Sequence, residues 1–286
     1  MPIRVTLARC ARAVAVLASL AALAPGCERE PAPQPAPPKA VTAPARPAPS
    51  PAPAGKRDVE ATGDVFKTQA GSLRVVPIGH GTLRLEHAGQ RLYVDPHDVS
   101  KLEGAPKADL VLITDIHQDH HDPKALAAVR TADTIVVAPP ALSKELPGAT
   151  FMKDGERRTI AGVAVEALPM YNLKRGPKPG EVFHPKGRGN GYLLSLGGKR
   201  VYVAGDTECT PEMKALKDID IAFVPMNLPY TMPPEEAAEC VAAFRPKVVY
   251  PYHFRGSNLG VFEAALADVP GVEVRIRDWY PAAAGP

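Results

Sequence analysis

Cysteine is scarce in this 286-residue chain, at four residues (Cys10, Cys27, Cys209 and Cys240) with no CxxC spacing. Beyond Cys27 only the distant pair Cys209 and Cys240 remains, which implies neither a disulfide scaffold nor a cysteine zinc site. Also missing are a Gly-x-Ser-x-Gly elbow, a P-loop and a Gly-x-Gly-x-x-Gly fingerprint, so no serine-hydrolase, nucleotide or dinucleotide chemistry competes for the reading. A basic folded surface is absent too. Of 34 basic and 31 acidic residues, positions 1–57 hold 8 and 2, leaving 26 against 29 in 58–286, a net of −3. The basic excess belongs to the amino-terminal segment, and nucleic acid is not an expected partner.

Long apolar runs are lacking as well. The stretch Ala13–Ala24, preceded by Arg4, Arg9 and Arg12, is too short to cross a bilayer comfortably and has the form of an export signal. It ends in Ala24-Pro25-Gly26-Cys27, which resembles a bacterial lipoprotein processing site with Cys27 as the lipid acceptor. Ten prolines interleaved with alanine lie between Glu28 and Arg57 and read as an extended tether without a core. The expected organisation is therefore an export signal with a lipoprotein cysteine (1–27), a disordered linker (28–57) and a catalytic domain (58–286). This places the domain at the bacterial cell envelope, held to the membrane by an N-terminal lipid anchor.

What is present in excess is a run of metal-type donors. The eight positions after Thr114 read Asp115-Ile116-His117-Gln118-Asp119-His120-His121-Asp122, with three histidines and three carboxylates. Like charges crowded together repel unless a cation neutralises them, so this density points to a metal site. The apolar run Asp109–Ile113 predicts a strand before it, and Asp122-Pro123 a helix start after it, which makes the donor-rich segment a strand-to-helix loop. Three distant positions extend the pattern: His184 in a glycine-rich loop, Asp206 after the strand-like Val201–Ala204, and His253 after Val248–Tyr252. His121 reads as a helix-start residue facing solvent.

Thr114, His117, Asp119 and His120, followed in order by His184, Gly205-Asp206-Thr207 and His253, resemble the metallo-β-lactamase-fold hydrolases. Ile78-Gly79-His80-Gly81-Thr82 with Asp95-Pro96 is most similar to the branch containing ascorbate-phosphate lactonase and N-acyl-phosphatidylethanolamine phospholipase D. The resemblance implies an α+β fold, a four-layered αββα sandwich, over roughly residues 70–280. It also implies two divalent cations, zinc first and manganese or iron as alternatives. One position would use Asp115, His117 and His184; the other would use Asp119, His120 and His253; Asp206 would be shared. Asp95 would brace the loop, and Asp119 would orient a metal-bound hydroxide on a small-molecule or lipid-like ester, lactone or phosphodiester. Asp115 departs from the family, which has histidine there, and an oxygen donor weakens the case for zinc alone. A catalytically impaired binding protein on the same fold is the competing reading.

Periodicity from Leu73 onward predicts strands at 73–78, 82–87, 91–95, 110–114, 134–137, 157–160, 163–168, 191–197, 199–204, 221–224 and 247–250. Helices are expected at 123–131, 139–145, 210–217, 234–244 and 259–267, the fourth opened by Pro233-Pro234-Glu235-Glu236. Around the site, Lys174, Arg175, Lys178, Lys186 and Arg188 face the single nearby acid Glu181 in sequence and form either an anion clamp or a solvated loop. His80, Asn172, Lys186, Asn190, Asn227 and Tyr230 are the expected substrate-contacting side chains, with turn roles as the alternative for His80 and the asparagines.

Overall fold

Two strand groups with opposite-face alternation fold into two sheets. The computed structural model describes residues 63–280, so the expected leader, the Cys27 anchor and the Pro/Ala linker lie outside the described residues. The first sheet runs in chain order: β1 (Asp64–Thr68), β2 (Gly71–Gly79), β3 (Thr82–His87), β4 (Gln90–Val94), β5 (Leu110–Leu112), β6 (Ile135–Ala138) and β7 (Thr150–Phe151). The second repeats the arrangement with β8 (Arg157–Ile160), β9 (Val163–Met170), β10 (Gly189–Leu196), β11 (Lys199–Val203), β12 (Ile221–Pro225), β13 (Val248–Tyr252) and β14 (Glu273–Val274). In each sheet the first four strands are antiparallel and the rest parallel.

Alternation sorts the side chains into three apolar layers. In β5, Leu110 and Leu112 face the inter-sheet core while Val111 packs outward; in β12, Ile221 and Phe223 point inward while Ala222 and Val224 point outward. The outer face of the first sheet is covered by α1 (Pro123–Val129) through Ala125, Leu126 and Val129. That of the second is covered by α2 (Pro211–Lys214), α3 (Pro234–Phe244) and α4 (Leu259–Leu266), with Cys240, Val241, Phe244 and Phe262 among the contacts. This is the expected αββα sandwich. Because the central parallel strands bury both faces, they read as short continuous apolar runs.

Two expected helices shrink. Segment 139–145 forms only a single 3-10 turn at Pro140–Leu142, and 210–217 only one α-turn at Pro211–Lys214. Both are too short to offset helix nucleation, and Pro147-Gly148 and the positive-φ Asp218 turn the chain beyond them. The short edge strands β7 and β14, two residues each, carry no period to read. Among the described residues no helix is long and apolar enough to cross a membrane.

The cysteine expectation is corrected. Cys209, in the loop after β11, and Cys240, on α3, form a disulfide with Cα atoms 5.6 Å apart across a separation of 31 residues. Spacing alone hid it, since the fold brings the loop and helix together. A Cys209→Ser/Cys240→Ser variant is expected to lose about 3.7 kcal/mol, the loop-closure entropy of a ring this size. Urea unfolding of the oxidised wild type against the variant measures it; coincident midpoints would refute the contribution.

Candidate metal centre

Parallel pairing of β4 with β5 puts Asp95 beside the donor-rich loop, and this contact shapes the loop. Fully buried Asp95 accepts from Thr114 N at 2.7 Å, Thr114 Oγ1 at 2.5 Å and His120 Nδ1 at 2.8 Å. Burial pushes its carboxyl up, and the His120 and Thr114 contacts pull it back. With Nδ1 donating to Asp95, His120 directs Nε2 inward. The loop ends where Asp122 caps α1 by accepting from Lys124 N at 2.8 Å and Ala125 N at 3.2 Å.

The second sheet supplies the opposing donors from its own strand ends. Asp206 follows β11 through Gly205, whose φ of +67° and contact with Met170 and Thr114 leave no room for a side chain. His184 comes from the loop before β10 and is held by Asn172 Oδ1, which accepts from His184 N at 2.8 Å and Nδ1 at 2.5 Å. His253 ends β13 with φ 48°, and its N–H donates to the carbonyl of His80, itself at φ 53°.

These side chains converge. Asp115 Oδ2 lies 2.8 Å from His117 Nδ1 and 3.8 Å from His184 Nε2. Asp206 Oδ2 stands 3.4 Å from both His184 Nε2 and His120 Nε2, and its Oδ1 is 3.6 Å from His253 Nδ1. Asp119 joins from the open side, 3.3 Å from His253 Nε2 and 3.0 Å from His80 Nε2. Three groups of ligand-type atoms result, each within 4.8 Å: Asp115, His117 and His184; His120, Asp206 and His253; and His80, Asp119 and His253. Asp206 connects the first two. His117 and Asp119, with side chains 45% and 36% exposed, mark the mouth, while the remaining donors are buried.

The donors fit a cation. His120 Nε2, Asp206 Oδ1 and His253 Nδ1 are buried without a hydrogen-bond partner, an arrangement that buried polar atoms avoid unless something coordinates them. Electrostatics agree. Burial disfavours charge on Asp206, yet His253 and His120 hold its carboxyl well below the usual range. Burial likewise opposes charge on His120, but Asp206 and Asp95 raise it well above an ordinary histidine. A divalent cation held by His120, Asp206 and His253 would take the place of that proton. Buried His80 is pushed down to about 4, which leaves a neutral imidazole that can donate to Asp119.

Other expected residues go elsewhere. Asn172 is turned onto His184, with its amide donating to Glu208 Oε1 at 3.2 Å and to the carbonyl of Tyr230 at 2.8 Å. Asn190 is buried, donating to the Met152 carbonyl at 2.8 Å; at Asn227 the backbone N–H donates to Thr231 Oγ1 at 2.7 Å, so Thr231 caps that turn; Tyr230 is half-exposed with its ring 5.0 Å from Phe183. His121 does not face solvent: it is buried, and burial lowers its pKa. The basic loop is not a row of free cations, since Arg175 pairs with Glu208 and Glu236, Lys174 with Glu236, Lys178 with Glu181, Lys186 with Glu212 and Arg188 with Asp115. The sequence reading missed Glu208, which is fully buried and accepts from the N–H groups of Leu173, Lys174 and Arg175, so shaping the loop that carries Asn172. Its signal was faint: a second carboxylate two positions after Asp206.

Comparison with known proteins agrees with this geometry. Residues 74–253 match the family model of the beta-lactamase superfamily domain. A UPF0173 metal-dependent hydrolase from Symbiobacterium thermophilum is 30% identical over 216 residues, covering 70% of this chain and 90% of the relative. Another from Enterococcus faecalis is 33% identical over 193 residues, covering 62% and 85%. A solved protein from Parabacteroides distasonis, provisionally named a metal-dependent hydrolase, is 44% identical with a TM-score of 0.70 and covers 76% of this chain and 98% of its own. Igni18, a metallo hydrolase from Ignicoccus hospitalis, shares the fold at 22% identity and a TM-score of 0.60, covering 72% and 94%.

Proposed function

The chain belongs to the beta-lactamase superfamily and is a metal-dependent hydrolase of it, and from that premise we propose a dinuclear enzyme cleaving an ester, lactone or phosphodiester at the bacterial cell envelope. The observation that carries the reading is the cluster of seven donors (Asp115, His117, Asp119, His120, His184, Asp206 and His253) around buried polar atoms that have no other partner. When bound, divalent zinc, with manganese or iron as alternatives, acidifies water and polarises the oxygen of the scissile bond. The chain's own groups do the rest. Asp119, at the open side, presents a carboxylate that can accept a hydrogen bond from water and orient it, steadied by His80 at 3.0 Å. His120 and His184 are fixed in one tautomer by Asp95 and Asn172, which keeps Nε2 of each aimed inward. Buried walls around Asp206 exclude bulk water, and the mouth at His117 and Asp119 admits a small-molecule or lipid-like substrate.

Support for the envelope comes from the export-type leader, Cys27 and the Pro/Ala tether, and from the Cys209–Cys240 disulfide, a bond that persists in oxidising compartments. The full chain is expected to hydrolyse at least one member of a panel of lactones, aryl esters and bis-aryl phosphodiesters, to lose that activity to a chelator and to regain it with zinc or manganese. Turnover indifferent to chelation, or none on the panel, counts against the reading. In fractionated cells Cys27→Ser is expected to shift the protein from membrane to soluble or unprocessed material. Unchanged partitioning with the same amino terminus would remove the anchor.

A further inference from the structure

Asp115 is the residue that separates this donor loop from the family's usual one, which has histidine there, and the fold gives it a partner that the loop itself does not contain. Its carboxylate is fully buried, with Oδ1 accepting from Arg188 Nε at 3.1 Å and Oδ2 from the same guanidinium at 2.8 Å. Oδ2 also faces His117 Nδ1 and His184 Nε2, while Oδ1 faces the backbone at Gly189. We propose that Asp115 and Arg188 act as one charge-neutral ligand that replaces imidazole at the first metal position, with Asp115 Oδ2 as the metal-facing donor and Arg188 as the counter-charge that cancels the carboxylate. This rests on the metal-dependent reading above.

The pairing is built into the backbone. Asn190 N donates to the Thr114 carbonyl at 2.8 Å, which pins the start of β10 to the donor loop. Between them Gly189 passes so close that a Cβ there would lie 2.6 Å from the Thr114 carbonyl oxygen and 3.1 Å from Asp115 Oδ1, besides colliding with Met170. Only glycine allows this approach, and it delivers Arg188 to both oxygens in the side-on geometry that guanidinium makes with carboxylate. The segment from His184 to Arg188 thus supplies a ligand and, four residues later, the cation that balances another. Charge explains why. Asp119 and Asp206 already bring two negative charges to the cluster; Asp115 adds a third, and Arg188 cancels it. The first position then has the net charge of an all-imidazole set with an oxygen in place of one nitrogen, a donor that favours harder cations.

The test is a double-mutant cycle in the full chain, read by stepwise zinc and manganese titration against a chromophoric chelator. Asp115→His alone leaves Arg188 facing a neutral ring beside a dication, so zinc affinity at the first position is expected to be at least about 10-fold weaker than in Asp115→His/Arg188→Met. The second position, at Asp119, His120 and His253, should fill alike in every variant. Equal first-position affinities in the single and double variants would overturn the proposal while leaving metal dependence intact. Wild-type protein that takes up no metal would overturn both. Thermal unfolding of the metal-free proteins checks folding. If Asp115→His does not fold, Arg188→Met against wild type decides: with Asp115 no longer neutralised, manganese must bind the first position more tightly, and equal or weaker binding would refute the pairing.

Discussion

Asp206→Ala is expected to leave the purified protein nearly free of tightly held metal and to weaken divalent-ion affinity by more than about 100-fold, beyond the loss usual for a supporting residue. No other donor has its reach: Asp206 lies 3.4 Å from His120 and His184 and 3.6 Å from His253, so its removal opens both positions at once. His120 should change as well. Asp206 is the strongest of the groups raising its pKa, and without that carboxylate the imidazole proton is lost at lower pH. Metal per protein after gel filtration, with a proton-detected histidine titration, measures both effects. Near-wild-type metal content in this variant would defeat the idea of a shared ligand.

Asp95→Ala carries the second large effect, and it falls on folding as well as on metal. The substitution removes the shared acceptor of three buried donors, Thr114 N, Thr114 Oγ1 and His120 Nδ1, and leaves only the 3.0 Å contact between the hydroxyl and the ring. Such losses are not additive, and a net cost of about 3–5 kcal/mol is expected, the range for breaking a buried charged network. Zinc affinity should drop about 10- to 100-fold because His120 loses the partner that fixes its tautomer. Asp95→Asn separates the two consequences. Its amide oxygen can still accept from Thr114 N, so stability recovers in part, but its NH2 group faces His120 Nδ1 and favours the wrong tautomer, so the metal defect remains. Chemical unfolding of the metal-free proteins and zinc titration report the pair. A fully stable Asp95→Ala protein would show that the loop holds its shape unaided.

The sequence disclosed most of the architecture where the physics is local. Strand β3 at Thr82–His87 and helix α3 at Pro234–Phe244 were read with their observed bounds, because alternation marks one and prolines with two glutamates mark the start of the other. Where the local signal competes with chain reversal it misleads, as at 139–145 and 210–217, each reduced to a single turn. Site residues behaved similarly. Density of donors exposed the loop from Asp115 to His120, whereas no local pattern announced that Asn172 holds His184, Asn190 the Met152 carbonyl and Lys186 Glu212. An amide or ammonium on a loop has no sequence signature for which way it points.

Asp115 shows the boundary between the two kinds of information. Taken with its neighbours in the chain, it is an oxygen donor where imidazole is usual, and exchange for histidine reads as a simple gain for zinc. With Arg188 against both oxygens, the same exchange strands a cation. The chain alone carried the strand and helix periods and the ordered donor motifs from Thr114 to His253, and the resemblance of those motifs to the metallo-β-lactamase-fold hydrolases implied the fold class. Only the tertiary structure decided the partners: Asp95 with His120, Asn172 with His184, Arg188 with Asp115, and Cys209 with Cys240. Those contacts join residues 12 to 73 positions apart, and a charge or hydrogen bond over such separations depends on distances of a few ångströms that strand pairing sets and no local pattern encodes.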